Sequence, residues 1–154
     1  MKYCNIVNLN LVEVVDNYVS LLKNLTEAPT ISLNTFINNI RDISQMGKII
    51  VCHIDNKIIG TGTIIYEPKI IHGGKKVGHI EDVVVSPEYR GRHIATTILK
   101  MLIEDSKLNN CYKVILDCNY SNIPFYEKLG FINKNMQMTY HNNLSESQPL
   151  DHFT

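Results

Sequence analysis

The fold is decided by residues 79–131, which read HIEDVVVSPEYRGRHIATTILKMLIEDSKLNNCYKVILDCNYSNIPFYEKLGF. This segment begins with a β-branched run, continues with apolar residues at helical spacing over 94–108, and returns to an apolar run at 112–118. A helix between two strands predicts a parallel crossover, so the segment specifies an α/β protein. A short helix near 122–129 then ends at Gly130, a suitable glycine for the position after a helix.

The flanking sequence supplies the other predicted elements. Upstream we expect a strand at 3–7, an amphipathic helix at 11–25, a helix capped by Ser32, a hairpin of strands 48–54 and 57–66, and a strand at 77–86. Downstream we expect a final strand at 131–141. These elements predict a mixed central β-sheet flanked by α-helices on both faces. They form one domain over residues 1–141, followed by a polar tail at 142–154.

Composition narrows the class of protein. The chain has 154 residues, 15 basic and 15 acidic side chains, and 44% hydrophobic residues. This balance argues against a nucleic-acid surface, although it leaves room for a local basic pocket. No apolar run approaches the roughly 18 residues that cross a bilayer, so we expect no membrane association. Four cysteines without CxxC spacing are typical of reduced thiols in a cytoplasmic protein.

The turn RGRHIA, at residues 90–95, precedes the predicted long helix. A helix N-terminus offers unpaired N–H groups and a partial positive charge, which together suit an anion. Arg90 and Arg92 add donors for charge-assisted hydrogen bonds to a phosphate. By itself the turn is also compatible with a solvated loop.

With its flanks, this turn resembles the coenzyme A site of the GNAT acetyltransferase superfamily, whose turn reads R/QxxGxG/A. Arg90 and Ala95 fit that pattern, whereas His93 stands at the first motif glycine. The resemblance implies the GNAT fold, acetyl-CoA as co-substrate and no metal. The acetyl-CoA-binding residues that it implies are Val83, Val84, Val85, Arg90, Gly91, Arg92, His93, Ile94, Ala95, Thr96, Tyr126 and Lys128.

Four blocks sharpen the resemblance. The sequences KIIH (69–72), GHIEDVVV (78–85), CYKVILDC (111–118) and FYEKLGF (125–131) resemble the glucosamine-6-phosphate N-acetyltransferase family. The implied reaction moves an acetyl group from acetyl-CoA to the amine of D-glucosamine 6-phosphate, in UDP-N-acetylglucosamine biosynthesis. The family also implies a homodimer in which the C-terminal strand contributes to the partner's active site.

Acetyl transfer to an amine needs an uncharged nucleophile, a polarised carbonyl and a proton for the departing thiolate. The resemblance assigns proton acceptance to Glu81, directly or through water, orientation of the ammonium to Asp117, and protonation of the thiolate to Tyr126. Backbone N–H groups of Val83, Val84 and Val85 would polarise the carbonyl if the strand carries a bulge. Because Glu81 and Asp82 are adjacent on a strand, we expect their side chains on opposite faces.

The residues of the implied acceptor site are spread over more of the chain than those of the implied acetyl-CoA site. Its residues are Thr26, Lys69, Ile70, Ile71, His72, Glu81, Asp82, Tyr112, Lys113, Asp117 and His141. His141 stands where the family supplies an arginine, and a histidine is only partly charged at neutral pH. Two alternatives therefore stay open: a GNAT enzyme for another amine, such as a polyamine, an aminoglycoside or a protein N-terminus, and a noncatalytic acyl-CoA-binding domain.

Overall fold

The computed structural model describes residues 1–142 of the chain. The predicted tail at 142–154 therefore lies outside the described residues except for Asn142. The chain divides into two compact units, Met1–Leu116 and a second unit that begins at Asp117.

The first unit contains a five-stranded sheet and three α-helices. In chain order its elements are β1 (Lys2–Asn5), α1 (Leu11–Leu22), α2 (Leu33–Met46), β2 (Gly47–Ile54), β3 (Lys57–Pro68), β4 (Lys76–Val85), α3 (Ile94–Leu108) and β5 (Cys111–Ile115). The strand order is β1-β2-β3-β4-β5, and all neighbours are antiparallel except β4 and β5, which are parallel. This mixed sheet confirms the predicted fold class and the parallel crossover.

Local sequence signals explain several boundaries. The Ser32 hydroxyl accepts a hydrogen bond from the Thr35 N–H at 3.1 Å, so Ser32 caps α2 as predicted. Asp55 and Asn56 have φ of 45° and 64°, the left-handed pair that a two-residue hairpin turn requires. Gly47 joins α2 to β2 without a loop, and a Cβ there would overlap the Ile64 carbonyl.

Helices cover both faces of the sheet. On one face, Tyr18 of α1 and Phe36 of α2 are buried in a cluster with Val51 of β2. On the other face, α3 lies close against β3, because a Cβ on Gly60 or Gly62 would stand 2.7 or 2.8 Å from an isoleucine methyl of that helix. This close approach explains why glycines occupy two positions of a central strand.

The second unit contains the short helix α4 (Ile123–Glu127), as predicted. The predicted final strand at 131–141 is wrong for the described chain, in which residues 131–141 carry no strand assignment. A strand requires a neighbour to complete its hydrogen-bond ladder, and sequence alone does not reveal whether one is present. The predicted strand at 112–118 is also shorter and more exposed than expected, because β5 lies at the sheet edge.

Candidate active site

Strand β4 carries a bulge in the middle of the predicted site. In its pairing with β3, Asp82 and Val83 together stand opposite Gly62 alone. Asp82 has φ 52°, a left-handed conformation that aspartate tolerates better than most residues. A bulge bends the strand and disrupts its ladder locally, so backbone groups here are re-aimed. The bulge on which the predicted carbonyl polarisation depends is therefore present in β4.

The bulge interrupts the regular alternation of side chains at the two acidic residues. Glu81 stands opposite Thr63 in the ladder, so it shares the face that Thr63 occupies. The Tyr18 hydroxyl, which also lies on this face, has its pKa raised to about 12 by burial, with a smaller contribution from the Asp82 carboxylate. Alternation does not hold across an extra residue, so the rule behind the expected placement of Glu81 and Asp82 on opposite faces does not apply at the bulge, and that placement stays a prediction.

The environment of Asp82 favours its neutral form. Loss of solvation raises the pKa of its carboxyl group above the ordinary value of 3.8. Nearby, the Tyr18 and Thr61 hydroxyls lie 3.3 Å apart and share a buried hydrogen bond, and Thr61 also donates to the Ile50 carbonyl at 3.2 Å. The Asp82 carboxylate contributes to the raised pKa of Tyr18, so it lies within electrostatic range of this buried pair of hydroxyls.

Beyond the middle of β4, the parallel partner strand ends. Within the described residues, β4 pairs with β5 only from Lys76 to His79. The edge of β4 over its last six residues, which include Val83, Val84 and Val85, therefore has no strand beside it in this part of the chain. The Val85 carbonyl accepts a hydrogen bond from Arg90 Nε at 3.3 Å, which ties the strand end to the following turn.

The turn before α3 has the features of an anion site. Gly91 has φ 76°, and His93 is left-handed at φ 60° and ψ 18°. The His93 carbonyl accepts a hydrogen bond from the Thr97 N–H at 3.0 Å, but the His93 side chain makes no capping hydrogen bond. The first N–H groups of α3, at Ile94, Ala95 and Thr96, are therefore uncapped by that side chain and suit an anion.

The left-handed backbone at residue 93 explains how histidine can stand where the motif of the family has its first glycine. Glycine adopts this conformation without cost, which gives a physical reason for its use at this position. Histidine is among the residues that tolerate it, so the same backbone can form with His93. The guanidinium of Arg92 lies over the ring of Tyr89, 5.2 Å from its centroid, beside the turn.

The loop between β3 and β4 contains four of the predicted acceptor residues. The Lys69 ammonium pairs with Glu67, and the His72 ring stacks on Tyr112 with centroids 4.1 Å apart. The Lys113 ammonium lies 5.5 Å from the same Tyr112 ring. The structure therefore brings the loop and β5 together, and it leaves Ile70 and Ile71 exposed by 98% and 63%. Thr26 is also exposed, in the connector after α1.

Sequence reasoning missed Glu67 and His79. Glu67 Oε2 lies 2.6 Å from His79 Nε2, while the other carboxylate oxygen pairs with Lys69. These two contacts lower the pKa of Glu67, the Lys69 contact contributing most. A local signal existed, because His79 stands two positions before Glu81 and alternation places both on one face.

In the second unit, the side chains of Asp117 and Cys118 lie near Tyr126. Burial raises the pKa of the Tyr126 phenol, and the nearby Cys118 and Asp117 raise it further. The phenol therefore keeps its proton at neutral pH, as a proton donor must. Lys128 follows α4 and is exposed, and so is His141.

A metal site and a membrane-spanning helix each require a recognisable group of residues. No group of three or more His, Cys, Asp or Glu side chains within residues 1–142 could hold a metal ion. No helix in that part of the chain is long and apolar enough to span a bilayer.

Comparison with known proteins defines the class. A model of the acetyltransferase (GNAT) family matches residues 19–131, which is more than half of the chain. The fold agrees with this class: a crystal structure described as a predicted acetyltransferase with acetyl-CoA, from Clostridium acetobutylicum, superposes with a TM-score of 0.68 at 22% identity, covering 91% of this chain and 95% of that one. The protein is an acetyltransferase of the GNAT class.

More similar relatives narrow the class to a family. Glucosamine 6-phosphate N-acetyltransferase of Trypanosoma brucei brucei is 41% identical over 128 residues, 80% of this chain and 86% of that protein. The crystal structure of glucosamine-6-phosphate N-acetyltransferase from Arabidopsis thaliana superposes with a TM-score of 0.85 at 32% identity, covering 92% of this chain and 98% of that one. The chain belongs to the glucosamine 6-phosphate N-acetyltransferase family.

Proposed function

We propose that this protein transfers the acetyl group of acetyl-CoA to the amine of D-glucosamine 6-phosphate, giving N-acetyl-D-glucosamine 6-phosphate and coenzyme A. One observation carries the proposal: the bulged strand β4 leads through the turn at Arg90 into the uncapped N-terminus of α3. The acceptor is supported by the names of the relatives, and the product is a precursor in UDP-N-acetylglucosamine biosynthesis.

The turn at residues 90–95 supports the proposed binding of acetyl-CoA. Its pyrophosphate would lie against the N–H groups of Ile94, Ala95 and Thr96, with Arg90 and Arg92 as cationic neighbours. The rest of the acetyl-CoA site comprises Gly91, His93, Tyr126, Lys128 and the backbone of Val83, Val84 and Val85. N–H groups of these valines would polarise the thioester carbonyl, and one such donor is worth roughly 3 to 4 kcal/mol in a transition state.

The chemical step is a direct attack. The neutral amine forms a bond to the thioester carbonyl carbon, the carbon–sulfur bond breaks as the carbonyl re-forms, and the thiolate takes a proton from the Tyr126 phenol. The acylated nitrogen loses its surplus proton, which returns to the Tyr126 phenolate through solvent, so the neutral amide and the phenol result. Glu81 accepts the proton that the substrate ammonium loses, directly or through water, and Asp117 orients that ammonium. The raised pKa of Tyr126 supports its role because a protonated phenol is available at neutral pH.

The acceptor would be held by the residues predicted from the family. Lys69, His72 and Lys113 supply cationic or hydrogen-bonding groups for the phosphate, and Asp82 orients the sugar. Further contacts come from Thr26, Ile70, Ile71, Tyr112 and His141. The proximity of the 69–72 loop to Tyr112 supports this grouping.

The proposal includes a homodimer of single-domain subunits spanning residues 1–141. Support comes from the C-terminal segment, where Met136, Met138 and Tyr140 alternate with polar residues and are exposed by 89%, 95% and 89%, and where Ile132 is exposed by 77%. Such alternation is typical of a strand that has a partner and a buried face. A second copy would provide both.

A cytoplasmic location is supported by four cysteines that are all unpaired.

The test is coenzyme A release from acetyl-CoA with glucosamine 6-phosphate, compared with glucosamine, a polyamine and an N-terminal peptide. We expect turnover with the sugar phosphate, and Glu81→Gln should reduce kcat by about a hundredfold or more. The matched control is Glu104→Gln, since Glu104 is exposed on α3 and pairs with Lys107. Turnover only with unphosphorylated amines would refute glucosamine 6-phosphate as the acceptor. Acetyl-CoA binding without turnover of any amine would refute the proposed enzymatic activity.

A further inference from the structure

Glu67 is bound to two partners at once. One carboxylate oxygen pairs with the Lys69 ammonium, and the other lies 2.6 Å from the His79 ring nitrogen. All three side chains are partly accessible, with exposed fractions of 30% for Lys69, 43% for Glu67 and 33% for His79. A small polar molecule can therefore reach them, yet each has a defined neighbour.

These contacts continue the row of side chains that leads from the bulge. His79 stands opposite Ile65 in the ladder, and Glu67 stands opposite Val77, so Glu67 and His79 lie on one face as diagonal neighbours. Glu81 is two residues beyond His79 and precedes the bulge, which keeps it on that same face. Glu67, His79 and Glu81 thus share one face of β3 and β4, and Lys69 in the following loop contacts Glu67.

The arrangement has a consequence for a lysine that binds an anion. A free lysine side chain samples many rotamers, and fixing it when a ligand binds costs conformational entropy. A carboxylate that already holds the ammonium lowers this cost by preorganisation. The pKa of Glu67 is lowered, so the carboxylate is ionised throughout the neutral range and can hold the ammonium there.

We propose that Glu67 is a positioning residue of the acceptor site, which holds Lys69 in place for the anionic group of the acceptor and is itself anchored by His79. The inference rests on the proposed function, because it concerns the same acceptor. It assigns Glu67 a part in selecting a phosphorylated sugar over an unphosphorylated one, without contact with the reacting atoms.

The test separates binding from chemistry with Glu67→Gln, which keeps the size of the side chain and removes its charge. We expect the KM for glucosamine 6-phosphate to rise by about tenfold, while kcat and the KM for acetyl-CoA stay within about twofold. The kcat/KM for glucosamine should be unchanged. Glu104→Gln, an exposed carboxylate on α3, should behave as the unmodified protein, and thermal unfolding of each variant checks the fold.

A double-mutant cycle tests the dependence on lysine. In a Lys69→Ala background, Glu67→Gln should change the KM for glucosamine 6-phosphate by less than about twofold. An unchanged KM in the single variant, or the same tenfold rise without Lys69, overturns the inference while the proposed function stands. Absence of turnover with glucosamine 6-phosphate in the unmodified protein overturns the proposed function and, with it, this inference.

Discussion

The Phe131 N–H donates a hydrogen bond to the Tyr126 carbonyl at 3.2 Å, and the two rings pack edge to face with centroids 5.8 Å apart. Between them Gly130 adopts φ 90° and donates to the Glu127 carbonyl at 2.9 Å. This pair of hydrogen bonds and the accompanying apolar contact form a Schellman motif. The backbone that carries the proposed proton donor is therefore fixed by the end of its own helix.

Replacement of Gly130 should release this constraint. We expect Gly130→Ala to destabilise the fold by about 1 kcal/mol or more, because an L side chain at φ 90° is strained even though no atom lies within 4 Å of the added Cβ. Urea denaturation measures the loss. Gly130→Asn is the matched control and should lose less, since asparagine tolerates positive φ better. Equal stability of the alanine variant and the unmodified protein would contradict this account.

Removal of the Tyr126 hydroxyl should affect the chemical step. Tyr126→Phe leaves the ring packing with Phe131 and removes the proton donor, so we expect kcat to fall by about a hundredfold with little change in acetyl-CoA affinity. Steady-state kinetics and acetyl-CoA titration measure the two effects. Tyr120→Phe, at a residue 84% exposed in the same unit, should leave both unchanged. An unchanged kcat in Tyr126→Phe would remove this residue from the mechanism.

The backbone at His93 predicts a stability change. His93→Gly should stabilise the fold by up to about 1 kcal/mol, because a left-handed conformation costs an L residue roughly 1 to 2 kcal/mol and the more flexible unfolded glycine offsets part of the gain. His93→Ala removes the imidazole but keeps the strain, so it should not share the increase. Urea denaturation of both variants is the measurement, and a glycine variant less stable than the alanine variant would refute the argument.

The pKa of Asp82 predicts a pH-dependent stability. The folded value is raised above the ordinary 3.8, so at neutral pH the folded state holds this carboxylate less favourably than the unfolded state does. Asp82→Asn should therefore raise the melting temperature at pH 7. This advantage should shrink as the pH falls through the folded pKa and should vanish below the unfolded value, where both states bind the proton.

A matched control is available for that experiment. Asp42→Asn changes an exposed carboxylate on α2, and its melting temperature should differ little from that of the unmodified protein. The Asp82→Asn enzyme should also lose activity if Asp82 orients the sugar. A difference in melting temperature that persists unchanged from pH 7 to pH 3 would show that solvation of Asp82 is not its cause.

The sequence predicts the elements whose signals are local. The Asp55-Asn56 turn, the Ser32 cap and the glycine at 130 each depend on the conformations open to one or two residues. Their backbone geometry therefore follows from the sequence. The same holds for α3, whose apolar periodicity is long enough to define its length.

Features that depend on a distant strand are not encoded locally. The bulge arises from the register of β4 against β3. The residue types from Glu81 to Val85 do not by themselves predict that a bulge forms there. The predicted final strand failed for the same reason, because its existence depends on a neighbour. Glu67 was missed although Lys69 is only two residues away, because its other partner, His79, reaches it only after the chain has reversed between β3 and β4.

The bulge also makes Asp82 a one-residue insertion in an otherwise regular ladder. Loss of its single codon would leave Glu81 opposite Thr63 and bring Val83 directly opposite Gly62, with every remaining side chain of the strand on its present face. Such a deletion would close the ladder and keep the core complete. The core therefore does not require the residue that creates the bulge, so we expect deletion of Asp82 to leave a stable sheet without the bulge on which the proposed carbonyl polarisation depends.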